Sequence, residues 1–196
     1  MTTEAGRLPL ARGAAGQVRP ASGAAGRLLI GTVACLLALT GCSSGPSANA
    51  WAATVCGALG PWRITIADLN QQAATQMATA TTSAQTRANL IALVSGARQA
   101  SETARAAIAA AGVPDVAGGE EVARGFEASL AGTRDAYAQA EADLAALPTS
   151  DENAFYDGVA AVMTRLTDRY DRNGLSLEGL DSPELKQAFD GLAECR

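Results

Sequence analysis

Cysteine is the residue type in this sequence with the most distinctive chemistry. The chain of 196 residues has thiols at Cys35, Cys42, Cys56 and Cys195, and it contains no histidine. The sequence therefore lacks the commonest general base and the commonest metal ligand. What each thiol does must follow from the segment in which it lies.

The segment before Cys42 has the composition of an export signal. Residues 28–40 form an uncharged apolar run of thirteen, LLIGTVACLLALT, and Arg27 precedes it. A run of this length is too short to cross a bilayer, which takes about 20 residues. It fits the hydrophobic region of a signal peptide behind a positively charged segment. The run ends in Leu39-Thr40-Gly41-Cys42.

These four residues resemble the lipobox of bacterial prolipoproteins, with two small residues between a leucine and the cysteine. The resemblance implies that the Cys42 thiol receives a diacylglyceryl group and that a peptidase cuts between Gly41 and Cys42. We therefore expect a signal peptide over 1–41, a lipidated tether over 42–50 and a domain over 51–196. That domain would lie outside the cytoplasm, anchored to the membrane. The alternatives are an ordinary secretory signal or a short buried helix.

The two remaining cysteines, Cys56 and Cys195, are predicted to form a disulfide. Cys35 would leave with the signal peptide, and Cys42 would be used by the lipid. An even pair of thiols in an exported chain indicates a disulfide, because that compartment is oxidising. Metal ligation and a redox site are the alternatives, and both lack the usual CxxC spacing or a histidine.

The charge of the chain excludes one class of partner. From Cys42 onward there are 11 basic and 19 acidic residues, which gives a net charge of −8. Such a domain repels phosphate backbones, so we expect no nucleic-acid partner. It also lacks the basic face of a peripheral protein that binds anionic lipid.

No set of residues predicts catalysis or a cofactor. A serine nucleophile needs a base such as histidine or lysine, and Lys186 is the sole lysine. Neither a G-x-S-x-G motif nor a P-loop is present. Residues 168–178 resemble a calcium loop, but aligning Gly174 to its glycine places Arg169 and Leu180 where acids are required. We therefore expect no enzyme activity, no cofactor and no metal.

Two tryptophans are candidates for contact with a ligand or a partner. Trp51 and Trp62 are eleven residues apart, about three helical turns, which places them on one face of a helix. They could form a stacking platform. Our favoured interpretation is structural, with Trp62 in the core and Trp51 near the tether.

Apolar residues recur at steps of three and four, which predicts helices throughout the domain. We expect helices over about 49–79, 84–111 and 119–147, with a kink or break in the first near Gly60 because of Pro61. A fourth should start from a capping box at Thr149–Glu152 and end at Asn173-Gly174. A short fifth should start at Ser182-Pro183. The fold class is then an antiparallel four-helix bundle with a short C-terminal helix, tied by the disulfide.

The mature part also resembles small helical lipoproteins of actinobacteria that have no assigned activity. The resemblance rests on Trp51, Val55-Cys56 and the C-terminal Cys195. We expect a non-enzymatic protein of the cell envelope that binds a protein partner or scaffolds a complex on the outer face of the membrane. The alternative is a binding protein for a small apolar or cationic ligand held between the helices.

Replacing Cys42 tests the prediction that Leu39–Cys42 is a lipobox. We expect the wild-type chain from its host's membranes to begin at Cys42 and to carry the mass of a diacylglyceryl group. Cys42→Ser should remain uncleaved and unmodified, whereas Cys35→Ser should be processed like the wild type. Intact mass spectrometry of each chain makes the comparison, and a wild-type chain that begins elsewhere would contradict the prediction.

Overall fold

A computed structural model describes residues 45–174 and 182–195, and these residues are all-helical, without a strand. The lipobox residues Gly41 and Cys42 lie outside the described part. Five α-helices follow one another along the chain, with a final 3-10 turn at Ala193–Cys195: α1 is Ala48–Thr79, α2 Ser83–Ala111, α3 Gly119–Ala146, α4 Glu152–Arg172 and α5 Pro183–Gly191.

The first four helices run alternately up and down, because short links join long helices. Across α2 and α3, Arg98 pairs with Glu141 and Arg134 with Glu102, which is an antiparallel register. Between α3 and α4, Arg165 reaches Asp143 at 3.0 Å. The predicted antiparallel bundle with a short fifth helix is therefore confirmed.

The helices begin and end at residues whose side chains or backbone suit these positions. The Ser182 hydroxyl accepts a hydrogen bond from the Leu185 N–H, and Pro183 takes the first helical position, as predicted. Gly112 ends α2 with φ of 72°, a left-handed conformation that glycine adopts without steric cost.

The predicted start of α4 was wrong. Asp151 is the N-cap and not Thr149, because the Asp151 carboxylate accepts from the free N–H of Ala154 in the first turn, at 3.0 Å. For α1, the sequence predicted a kink or a break near Gly60. The break is absent, since the helix continues through the exposed Pro61.

The core has two parts, one toward each end of the bundle. At the first, the Trp51 ring meets Phe126 of α3 and Phe189 of α5 edge to face, with centroids 5.4 and 6.1 Å away. The Trp51 indole N–H donates to the Gly112 carbonyl at 2.8 Å, so α1, α2, α3 and α5 converge there. The second part joins α2, α3 and α4 around buried aliphatic side chains: Val94, Ala136, Ala140, Leu144, Val162 and Leu166.

The fifth helix packs on the start of α1 and is tied to it covalently. The Cys56 and Cys195 sulfurs are bonded, with Cα atoms 5.1 Å apart, across 139 positions of sequence. The predicted pairing is therefore present. In the chain-entropy model a loop of this size stabilises the folded state by about 4–5 kcal/mol.

Removing both sulfurs should lower the free energy of unfolding. We expect Cys56→Ser/Cys195→Ser to lose up to about 4–5 kcal/mol, because the unfolded chain gains conformational freedom. Urea unfolding monitored by circular dichroism measures the loss. A reducing agent should lower the stability of the wild type toward that of the double variant and should leave the double variant unchanged. Equal stability of the oxidised wild type and the double variant would contradict the assignment.

Candidate functional site

A groove lies between α1 and α4, because these two helices make no close backbone approach in the described part of the chain. Helices α2 and α3 form its floor. One part of the groove is a cavity of about 330 Å³, within the range of small-molecule sites. Its lining is mostly apolar, and its polar members are neutral: Ile66, Asn70, Leu93, Val94, Ala97, Tyr137, Met163, Leu166, Thr167 and Tyr170.

A second cavity of about 270 Å³ adjoins the first, and Tyr170 lines both. It lies between the middle of α1, the first half of α3 and the end of α4, and it contains one charged side chain. Its lining is Leu59, Trp62, Arg63, Phe126, Ser129, Thr133, Tyr170 and Gly174. Together the two cavities follow α1 from Leu59 to Asn70, roughly 16 Å at the rise of an α-helix.

The groove exists because α4 packs along α3, so that no described helix covers this side of α1. The Leu147 side chain sits over Gly158, Arg165 pairs with Asp143, and the Ser129 hydroxyl donates to the Asn173 carbonyl. All three contacts hold α4, or the residue that follows it, against α3 or against the link after α3. The apolar stripe of α1 is therefore only half-buried along its middle.

Trp62 lines the second cavity, and a hydrogen bond to α2 holds its ring in position. Its indole N–H donates to the Ser101 hydroxyl at 3.1 Å, and that hydroxyl donates to the Ala97 carbonyl at 2.8 Å. The ring is half-buried, so one part of its apolar surface remains available beside the cavity. Trp62 is thus a candidate contact residue, as the sequence predicted.

Trp51, the other predicted contact, is a core residue. Its side chain is 0 % exposed, and its N–H is already bonded to Gly112. The prediction that it meets a ligand or partner was therefore wrong. The favoured structural interpretation also exchanged the two roles, because Trp51 fills the core and Trp62 borders the groove.

Tyr137 gives the floor of the groove a neutral polar group. Burial raises the pKa of this phenol to about 12, and the negative charge of an ionised Tyr170 adds to the rise. The phenol is uncharged at neutral pH and can donate or accept a hydrogen bond. Tyr137 was not among the site residues predicted from the sequence.

Two acidic residues near the bundle surface, Glu102 and Asp143, form ion pairs with arginines of neighbouring helices. Hydrogen bonds from Arg105 and Arg134 lower the pKa of Glu102 to about 2. Hydrogen bonds from Gln139 and Arg165 likewise lower the pKa of Asp143. These carboxylates are ionised at neutral pH and link neighbouring helices. A general acid must hold a proton near neutral pH, whereas the lowered pKa of each of these carboxylates keeps it ionised there.

The described residues contain neither a cluster of metal ligands nor a helix that could span a membrane. Within 45–174 and 182–195, no three His, Cys, Asp or Glu side chains gather as a metal site would require. The loop that resembles a calcium site continues into residues outside the described part. None of the described helices has the length and apolarity to span a bilayer.

The fold and the groove define a class of protein, an all-α bundle with a lateral apolar groove. No protein-family model matches the chain, and comparisons with curated proteins and with solved structures found no significant match.

The burial of Tyr137 predicts a late-titrating phenol. Because its pKa is raised from 10 to about 12, the stability it contributes is complete below pH 10 and is lost as pH rises to 12. Ultraviolet titration of the folded protein should show one component near pH 12. That component should disappear in Tyr137→Phe and persist in Tyr156→Phe. Loss of the component in both variants, or in neither, would contradict the assignment.

Proposed function

We propose that this protein is a lipid-anchored, non-enzymatic binding protein of the cell envelope, and that it binds a small apolar ligand in the groove between α1 and α4. The observation that carries the proposal is the cavity of about 330 Å³ with aliphatic walls and neutral polar groups. The anchor and the location rest on the lipobox residues and on nothing in the described part of the chain.

The chemistry of the lining supports an apolar ligand over a cationic one. A cation is favoured by adjacent carboxylates or aromatic faces and is repelled by an adjacent positive charge. The rings of Trp62, Phe126 and Tyr170 line the second cavity, but Arg63 lines it too. Neither cavity is lined by a described carboxylate. An apolar ligand would be stabilised by about 25 cal/mol for each Å² of apolar surface removed from water. Asn70, Tyr137 and Thr167 supply the few polar groups that orient a ligand in such sites.

A protein-interaction or scaffolding role is the second proposal, and the groove supports it through a different occupant. Helix α1 has a half-buried apolar face toward the groove. In a closed four-helix bundle, α4 would lie against this face, but the two helices make no close backbone approach. An amphipathic helix of a partner could lie along that face, as helices do in other hydrophobic grooves. The two roles differ in whether a small apolar molecule binds on its own.

Filling the groove from its rim tests small-molecule binding. Thr167 is exposed on α4 and lines the cavity, so Thr167→Trp should occupy the cavity without disturbing the core. Thr164→Trp is the matched control, because Thr164 is also exposed on α4 and does not line either cavity.

The probe is Nile red, a neutral apolar dye, added to the chain without its leader and with Cys42→Ser. We expect saturable binding by the wild type and by Thr164→Trp, and about tenfold weaker binding by Thr167→Trp, which corresponds to about 1.4 kcal/mol. Fluorescence titration measures the affinity. Absence of saturable binding, or equal binding by all three chains, would overturn the small-ligand proposal in favour of the scaffolding role.

A further inference from the structure

The groove is chemically different at its two ends. Toward Asn70, the walls are aliphatic side chains such as Leu93 and Met163. Toward Leu59, the lining includes Arg63, whose side chain is exposed and positively charged. A ligand that fills the groove therefore meets an apolar environment along most of its length and a positive charge near one end.

Arg63 differs from the arginines that link the helices. Arg98, Arg134 and Arg165 each pair with a carboxylate on a neighbouring helix. Arg63 is exposed and forms no ion pair with any carboxylate in the described ranges. Its fork of N–H donors is suited to a planar carboxylate, which it can bind through two parallel hydrogen bonds.

The remaining polar groups of this cavity are neutral. The Ser129 hydroxyl donates to the Asn173 carbonyl, which leaves its oxygen free to accept a further hydrogen bond. Thr133 is buried beneath the cavity, and Tyr170 stands between the two cavities. No described acid lines this end of the groove.

We infer that the ligand is a single-chain amphiphile with a carboxylate head. Its head lies at Arg63, and its alkyl chain extends past Tyr170 along Ile66 into the larger cavity. This inference rests on the proposed function, because it names the chemical class of ligand for the same groove. The linear shape follows from the groove, which extends roughly 16 Å along one face of α1.

The net charge of the domain favours a head with a single negative charge over a multiply charged head. From Cys42 onward the chain carries a net charge of −8, which repels anions at long range. At physiological ionic strength that repulsion is screened beyond about 8 Å, whereas a contact with Arg63 is not. A monoanion gains the contact at small cost, whereas the repulsion doubles for a dianionic phosphate monoester.

The experiment uses the full chain in washed membrane vesicles. The probes are two photoreactive alkyl chains of equal length with a diazirine on the chain, one a carboxylate and the other a primary alcohol. Irradiation followed by peptide mass spectrometry measures how much of each probe attaches to the α1 and α4 segments that line the groove. Unlabelled dodecanoate serves as the competitor.

Arg63→Gln is the test variant, and Arg124→Gln is its matched control. Arg124 is an exposed arginine of α3 that does not line the groove and makes a single ion pair within its own helix. Arg63→Gln should lower saturable labelling by the carboxylate about tenfold and leave labelling by the alcohol unchanged, because charge-assisted hydrogen bonds are lost. Arg124→Gln should label like the wild type with both probes.

Each other result overturns a defined statement. Equal carboxylate labelling of Arg63→Gln and the wild type would refute the carboxylate head and leave the apolar groove in place. Equal loss of both probes in Arg63→Gln would also refute it, since the residue would then shape the groove. Absence of competed labelling with either probe in the wild type would refute the small-ligand function itself.

Discussion

The packing of Trp51 is the constraint on which one half of the molecule depends. Its ring contacts Phe126 and Phe189, and its N–H holds the carbonyl at the end of α2, so one side chain joins four helices. The domain has few aromatic residues and many alanines, and alanine-rich helices bury little apolar area each. A large ring at the point of convergence supplies area that small side chains cannot. The Cys56–Cys195 bond lies in the same cluster and keeps α5 against α1.

The packing around α4 differs from that around Trp51. Helix α4 packs along α3 through the Arg165–Asp143 pair and the Leu147–Gly158 contact, and within residues 45–174 and 182–195 no helix covers α1 on that side. A helix face whose partner is absent must remain wet or be covered by something else. The groove is therefore a consequence of how α4 docks.

The helices could be predicted from sequence because they follow from periodicity and capping residues close together in the chain. The same holds for the disulfide, which was predicted by counting the thiols that remain if the chain is exported. The groove could not be predicted, because a stripe of Leu59, Trp62 and Ile66 shows which face points inward and not whether another helix reaches it. Spacing likewise placed Trp51 and Trp62 on one face without distinguishing their neighbours. Arg63 and Tyr137 carry no local signal, although the shortness of α4 (21 residues) beside α1 (32 residues) indicates that part of α1 lacks cover.

The covalent bond between Cys56 and Cys195 also changes the topology of the polypeptide. It closes a ring that contains α2, α3, α4, α5 and the part of α1 that follows Cys56. If an envelope protease hydrolyses one peptide bond in a connecting loop, such as residues 112–118 or 147–151, both fragments remain attached to the N-terminal stem of α1. If the stem is membrane-bound, a single cut within the ring therefore cannot release either fragment from the membrane. Shedding of the intact ring would require cleavage in the short stretch that precedes Cys56.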